Sequence, residues 1–111
     1  MSIKVDFLYW PECPSHPEAW ALLQRLLDET GVAAEVTRRV IETDAEAEAT
    51  RFVGSPTIRV NGRDVDPRGA EGMASRLTCR LYFREDGRPS AIPTETMIRN
   101  ALTQAQAQIK E

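Results

Sequence analysis

Residues 3–16 read IKVDFLYWPECPSH, and this stretch decides the fold. Every second residue from Ile3 to Tyr9 is apolar, which predicts a β-strand with one fully apolar face. A short proline-containing loop follows, and after it stands Cys13, where the first helix is expected to open. The stretch therefore predicts a strand that leads through a loop into a helix, with a thiol at the junction.

This first helix is predicted from Cys13 to Gly31. Apolar residues recur along the segment at spacings of three and four, which gives the helix one apolar face. Pro14 and Pro17 are compatible with its first turn, because the amides there have no intrahelical acceptor. Gly31 then supplies a natural helix stop.

A second strand and a second helix follow. Ala34–Ile41 is rich in β-branched residues and predicts a strand, and two strands that flank a helix imply a parallel pair. Thr43 opens a Thr-x-x-Glu capping box, which predicts a short helix to about Phe52. The first half of the chain is therefore expected to be β-α-β-α.

The strongest hairpin signal is the dipeptide Asn61-Gly62. It lies between two strand-like runs, residues 55–60 and 63–65, and both of its residues accept a positive φ. Two antiparallel strands are therefore expected to close the sheet.

In the last third of the chain, the apolar pattern is weak over residues 66–93 and strong in the segment that follows. Within residues 66–93 only Leu77–Phe83 predicts an extended segment. Thr94 then caps a last helix whose apolar stripe is Met97, Ile98, Ala101, Leu102, Ala105 and Ile109. The predicted order is β-α-β-α-β-β-α in a single domain over residues 1–111.

Composition excludes several classes of protein. The 111 residues carry a net charge of −3 with scattered basic residues, so no nucleic-acid partner is expected. No apolar run approaches the roughly 20 residues that span a bilayer, and no export signal is recognised, so a cytoplasmic location is expected. The two cysteines there would be reduced. Neither a cofactor nor a resident metal is expected, because no phosphate loop, Ser-His-Asp arrangement or four-ligand zinc spacing occurs.

Three features together resemble the thioredoxin and glutaredoxin superfamily. A strand and loop lead to Cys13-Pro14 and a helix, Gly54-Ser55-Pro56-Thr57 precedes the third strand, and the Asn61-Gly62 hairpin follows. The resemblance implies a thioredoxin-like α/β fold, with a mixed four-stranded sheet and helices on both faces. It also implies that Cys13 is the attacking thiol and that Pro56 is a cis-proline.

The chain departs from the superfamily pattern at the motif itself. Cys13-Pro14-Ser15-His16 places a histidine where C-x-x-C has its resolving cysteine, so the motif alone cannot close a disulfide. The chain is also similar to small bacterial thioredoxin-fold proteins labelled as related to alkylmercury lyases. That similarity carries no expectation of the lyase activity.

Cys13 and His16 are the first candidates for catalysis. Unpaired amides and the dipole of a helix N-terminus favour negative charge, which predicts a lowered pKa and a nucleophilic thiolate at Cys13; the alternative is a small buried cysteine. His16 lies close to one helical turn further on. It either hydrogen-bonds the thiolate and exchanges its proton, or is an exposed histidine.

Cys79 is the third candidate, with three interpretations: resolving thiol, second metal ligand, or strand residue without a role. A disulfide needs Cα atoms within about 7 Å, and only the fold can bring Cys13 and Cys79 that close. Arg80 and Arg84 are either ligands of an anion such as glutathione or solvated strand residues.

The expected substrate-binding residues are Trp10, Pro14, Ser55 and Pro56. As a cis-proline, Pro56 would turn the backbone around Ser55 outward to pair with an extended substrate strand beside Cys13. The alternative is that Pro56 only starts a strand and that Trp10 packs in the core.

Two functions follow from these residues. In the first, Cys13 attacks a disulfide of a protein or small molecule and is released by Cys79 or an external thiol, which is thiol–disulfide oxidoreductase activity. In the second, a non-catalytic binding protein holds a soft metal ion such as mercury between Cys13 and Cys79, or docks a protein partner along the cis-proline edge. The oligomeric state stays open, a homodimer included.

Overall fold

The structure, a computed structural model, describes residues 2–109, with the backbone alone for Ile109. Within that range no helix is long and apolar enough to cross a membrane. The expected order β-α-β-α-β-β-α is present, and three short elements within residues 66–93 are additional to it. The elements are β1 Ile3–Tyr9, α1 His16–Thr30, β2 Ala34–Val40, α2 Asp44–Thr50, β3 Thr57–Val60, β4 Arg63–Asp64, α3 Pro67–Ala70, β5 Tyr82–Phe83, β6 Pro89–Ser90 and α4 Glu95–Ile109.

A four-stranded mixed sheet in the order β2-β1-β3-β4 forms the centre of the protein. β1 pairs parallel with β2 and antiparallel with β3, and β3 pairs antiparallel with β4. The turn between β3 and β4 has a φ of 51° at Asn61 and 82° at Gly62. Both values are positive, as a two-residue hairpin turn of this type requires. The predicted mixed α/β class and four-stranded mixed sheet are confirmed.

Helices cover both faces of the sheet. As a result, β1 has buried side chains on both of its faces. On one face β1 packs with α1 and α4, through the buried residues Ile3, Val5, Phe7, Ala19, Leu23, Leu26, Val32, Ile58, Val60, Val65, Ile98, Leu102 and Ala105. On the other face Leu8 packs with Ala47 of α2, and with Ile41 and Phe52. The side chain of Ile109, the last residue of the predicted stripe on α4, lies outside the described part of the chain.

The first helix begins at His16, three residues later than predicted. The Cys13 N–H donates to Trp10 O at 2.9 Å and closes a turn, while Pro14 disfavours helical backbone at the residue before it. Cys13 therefore lies in the turn that precedes α1. The predicted helix stop is confirmed, because Gly31 caps α1 with a φ of 65°.

Two predicted helix caps are present. The Glu46 N–H donates to Thr43 Oγ1 at 3.0 Å, and the Met97 N–H donates to Thr94 Oγ1 at 3.2 Å. Helix α2 ends at Thr50, before the predicted Phe52, because the residue after Thr50 adopts a left-handed φ of 59°.

Residues 66–93, which the sequence leaves unplaced, contain α3 and a separate two-stranded sheet of β5 and β6. Of the predicted extended segment Leu77–Phe83, only Tyr82–Phe83 is a strand, and Cys79 forms a single parallel bridge with Ser55. Elements of two to four residues offer too few positions for a periodic signal. This is why the sequence pattern is weak there.

Residues 76–82, termed the Cys79 segment, are joined to the loop before β3 by backbone hydrogen bonds. The Ser55 N–H donates to Thr78 O at 2.8 Å, and the Arg80 N–H donates to Ser55 O at 2.9 Å. Both backbone groups of Ser55 are therefore used, and Cys79 lies directly across from Ser55.

Gly54 permits this close pairing. Its φ is 139°, and a Cβ at this position would lie 2.8 Å from Arg80 Cβ and 3.0 Å from Arg80 Cα. A side chain would therefore be strained in its own backbone and would collide with the Cys79 segment. Only glycine satisfies both conditions.

Replacing Gly54 with alanine tests the close approach. Gly54→Ala should lower the free energy of unfolding by about 3 kcal/mol or more, because backbone strain and overpacking each cost ~1–3 kcal/mol. Gly62→Ala is the matched control: its φ is 82° and no atom of the described part of the chain lies within 4 Å of an added Cβ, so only the left-handed backbone penalty of ~1–2 kcal/mol applies. Urea unfolding measures both, and equal losses would contradict the contact with Arg80.

Candidate functional site

Cys13 and Cys79 both contact Ser55. The Cys13 Sγ donates to Ser55 O at 3.4 Å, and Cys79 is bridged to the same residue. The two thiols interact, since each shifts the pKa of the other. The structure thus brings together two cysteines that the sequence could not place relative to each other.

Cys13 lies in an environment that favours its thiolate. The residue is fully buried, and Ser15 Oγ lies 3.1 Å from its sulfur. Burial alone would disfavour the charge, but hydrogen bonds from the Ser15 hydroxyl and the Ser15 amide, together with those from the side chains of Ser55 and Cys79, outweigh it. The pKa of Cys13 is therefore lowered from its ordinary value.

Cys79 is shifted in the opposite direction. Although the residue is exposed, partial desolvation raises its pKa, and the hydrogen bond with Cys13 and the charge on Cys13 raise it further. Because the two thiols are coupled, they release their protons in two steps that belong to the pair, the first mainly from Cys13. This arrangement suits internal thiol–disulfide exchange, in which the thiolate of one cysteine attacks a mixed disulfide formed on the other.

His16 does not hydrogen-bond the Cys13 thiol. Its ring packs on Tyr9, with the ring centroids 4.6 Å apart, and its buried Nδ1 has no hydrogen-bond partner among residues 2–109. The reason is the later helix start: as the first residue of α1, His16 is not one helical turn beyond Cys13. His16 is half-buried against Tyr9. It is therefore neither bonded to the thiolate nor an exposed histidine, the two alternatives that the sequence offers.

The Ser55–Pro56 peptide is cis, as the resemblance implies. The expected pairing of this backbone with a substrate strand, however, does not fit the structure. The N–H and C=O of Ser55 are both bonded to the Cys79 segment, and Pro56 O accepts from the Tyr82 hydroxyl at 2.5 Å. The chain's own residues 78–80 occupy the place that the sequence assigns to a substrate strand.

Trp10 and Pro14 are placed differently from each other. The Trp10 N–H donates to Ser55 Oγ at 3.0 Å, and the half-buried indole packs against the core around Leu8. Pro14 is exposed. Trp10 thus supports the loop that carries Cys13. Of the four expected substrate-binding residues, only Pro14 is exposed, because Trp10 is half-buried and both Ser55 and Pro56 are buried.

Arg80 is the residue whose role sequence reasoning missed. It is buried, so it neither meets an anion at the surface nor lies on a solvated strand. Its Nη1 and Nη2 donate to the two oxygens of Asp64 at 2.7 and 2.8 Å, and its guanidinium lies 4.4 Å from the Tyr82 ring centroid. Arg84, by contrast, is exposed.

The charge of Arg80 is retained in spite of its burial. Burial disfavours the guanidinium cation, but the hydrogen bonds and charge of Asp64 outweigh this effect and raise the pKa of Arg80. Removing one partner of a buried ion pair typically costs ~3–5 kcal/mol. The pair therefore fixes the Cys79 segment to β4. The sequence carries no signal for this burial, because alternation predicts apolar Leu81 inward and Arg80 outward, whereas Leu81 is exposed and Arg80 is buried.

The site offers two ligands to a metal ion. Among the described residues no group of three or more His, Cys, Asp or Glu side chains could hold one. The Cys13 and Cys79 sulfurs form at most a two-thiolate site, which suits soft ions.

Comparison with known proteins gives no assignment. A scan against protein-family models finds no match for this chain. No curated protein matches it either. The function is therefore argued from the geometry of the thiol pair.

Replacing Ser15 tests the origin of the acidity of Cys13. In a Cys79→Ser background, which leaves one thiol to titrate, Ser15→Ala should raise the pKa of Cys13 because the hydroxyl that stabilises the thiolate is lost. The Ser15 hydroxyl makes no capping bond to α1, so the helix itself should be little affected. Ultraviolet absorbance of the thiolate against pH measures the pKa.

His16→Ala is the control for this titration. Because His16 has no bond to the sulfur, its removal should leave the pKa of Cys13 close to that of the parent. A larger shift in His16→Ala than in Ser15→Ala would contradict the assignment.

The lowered pKa of Cys13 predicts how the free energy of unfolding depends on pH. The folded pKa of Cys13 is lowered from its ordinary value, so its contribution is full above the unfolded pKa and is lost as the pH falls through the folded pKa. In the Cys79→Ser protein the free energy of unfolding should therefore rise with pH across this window. Ser15→Ala should make the rise smaller, whereas identical profiles in both proteins would count against the thiolate contact.

Proposed function

We propose that the protein is a thiol–disulfide oxidoreductase of thioredoxin-like fold, with Cys13 and Cys79 as its redox pair. The observation that carries this proposal is the contact of both cysteines with Ser55, Cys13 through its buried thiol and the exposed Cys79 through its backbone. The sheet order β2-β1-β3-β4, with α1 and α4 packed on the same face, supports the thioredoxin-like assignment.

The reaction moves two electrons between the protein thiols and a substrate disulfide. The substrate S–S bond breaks, a Cys13–Cys79 bond forms, and the two protons of the protein thiols leave with the two thiol products. The exchange passes through a mixed disulfide. Cys13 is the nucleophile of the step that closes the internal disulfide, because its lowered pKa increases its thiolate fraction at neutral pH. No cofactor takes part.

The partner is a thiol or disulfide, on a protein or on a small molecule. Because the Ser55 backbone is occupied by the Cys79 segment, this partner does not bind as an added strand at Ser55. A reducing compartment such as the cytoplasm suits a pair of free thiols at rest. The proposal requires neither nucleic acid nor a membrane.

A second candidate function is binding of a soft metal ion such as mercury. It is favoured by the same adjacency of two thiols, because thiolates are the ligands that soft ions prefer. Such a protein would bind one ion per chain, would lose binding in both Cys13→Ser and Cys79→Ser, and would not catalyse disulfide exchange. Measured turnover therefore separates the two functions.

Turnover of a model disulfide tests the proposal. The protein should accelerate the reduction of bis(2-hydroxyethyl) disulfide by glutathione, and Cys13→Ser should slow this reaction because the thiolate that closes the internal disulfide is lost. Arg25→Gln is the control: Arg25 belongs to an exposed ion pair with Glu29, so this variant should retain the rate.

Two outcomes would contradict the proposal. One is the absence of any acceleration by the wild-type protein. The other is an unchanged rate in Cys13→Ser.

A further inference from the structure

The two cysteines of the pair differ in their access to solvent. Cys13 has no exposed surface, whereas Cys79 is exposed. A thiol or disulfide that approaches from solution therefore reaches Cys79 first. The sequence motif, in contrast, draws attention to Cys13.

Cys13 is covered by parts of the protein that are firmly bonded. Its sulfur lies between Ser15 Oγ and Ser55 O, and Ser55 carries the Cys79 segment through two backbone bonds. That segment is fastened in turn by the buried Arg80–Asp64 pair, whose side chains are 2% and 12% exposed. Cys13 is therefore buried against a part of the protein that is itself firmly bonded.

The exposure of Cys79 is built into the alternation of its segment. Arg80 and Tyr82 are buried, whereas Cys79, Leu81 and Phe83 are exposed. The inward side chains anchor the segment, and the outward ones, Cys79 among them, face solvent. Cys79 is therefore exposed in the folded protein while it remains beside Cys13.

We propose that external thiols and disulfides exchange at Cys79, and that Cys13 acts only in the internal step. This inference rests on the proposed function and assigns the two steps to the two sulfurs. The lowered pKa of Cys13 supports it, because a more acidic thiol is the better leaving group.

The steps balance for a low-molecular-weight disulfide RSSR of the glutathione type. The Cys79 thiolate attacks RSSR, a Cys79–SR bond forms, and RS⁻ leaves. The Cys13 thiolate then attacks the Cys79 sulfur, the internal disulfide forms, and a second RS⁻ leaves. In the reverse direction RS⁻ attacks Cys79 and expels the Cys13 thiolate, so every mixed disulfide is on Cys79.

Mapping of mixed disulfides tests the assignment. Oxidised wild-type protein is mixed with excess glutathione, quenched in acid and digested, and the adduct should be found on Cys79. In the single variants, reduced Cys13→Ser treated with glutathione disulfide should gain one glutathione, whereas Cys79→Ser should gain it at least ~10-fold more slowly because its remaining thiol is buried. In denaturant the two variants should react at similar rates. Cys13→Ala replaces Cys13→Ser if the buried serine hydroxyl prevents folding.

Two results would overturn the assignment. The first is a wild-type adduct on Cys13, and the second is a folded Cys79→Ser protein that reacts as fast as Cys13→Ser. Either would leave the proposed function intact, provided that the wild-type protein still forms the Cys13–Cys79 disulfide. If that disulfide never forms, the proposed function fails together with this inference.

Discussion

The backbone pairing of Ser55 with residues 78 and 80 is the constraint on which the site depends. It places Cys79 across from Ser55. The carbonyl of Ser55 also accepts from the Cys13 thiol. Ser55 thus positions both cysteines. It holds Cys79 through backbone pairing and holds the Cys13 thiol through a hydrogen bond to its carbonyl oxygen. The pairing in turn depends on glycine at position 54, where any side chain would meet Arg80.

The buried ion pair between Arg80 and Asp64 stabilises the backbone pairing of Ser55 with residues 78 and 80. Exposed ion pairs in proteins typically contribute ~0.2–1 kcal/mol each, whereas breaking a buried pair costs ~3–5 kcal/mol. The Cys79 segment is therefore bonded to the sheet like part of the core, although it has almost no regular secondary structure. A firm segment that carries an exposed thiol can present that thiol to solvent without losing its neighbour Cys13.

Local patterns in the sequence predict the sheet but not the completed site. The bounds of β1 and the Asn61-Gly62 turn follow from alternation and from backbone preference, both of which lie within a few neighbouring residues. The contact of Cys79 with Ser55 joins positions far apart in the chain, and Arg80 resembles a surface cation until Asp64 is placed beside it. The predicted start of α1 is three residues early, because prolines suit both a first helical turn and the loop before it.

Amide hydrogen exchange at Arg80 tests the central claim most directly. If the Arg80 N–H is bonded to Ser55 O in a segment fastened to the core, it should exchange as slowly as the amides shared between β1 and β3, near the limit of global unfolding. Exchange at the rate of an open loop would contradict the account. The Cys79 segment would then not be held on Ser55, and the two thiols would not be kept together.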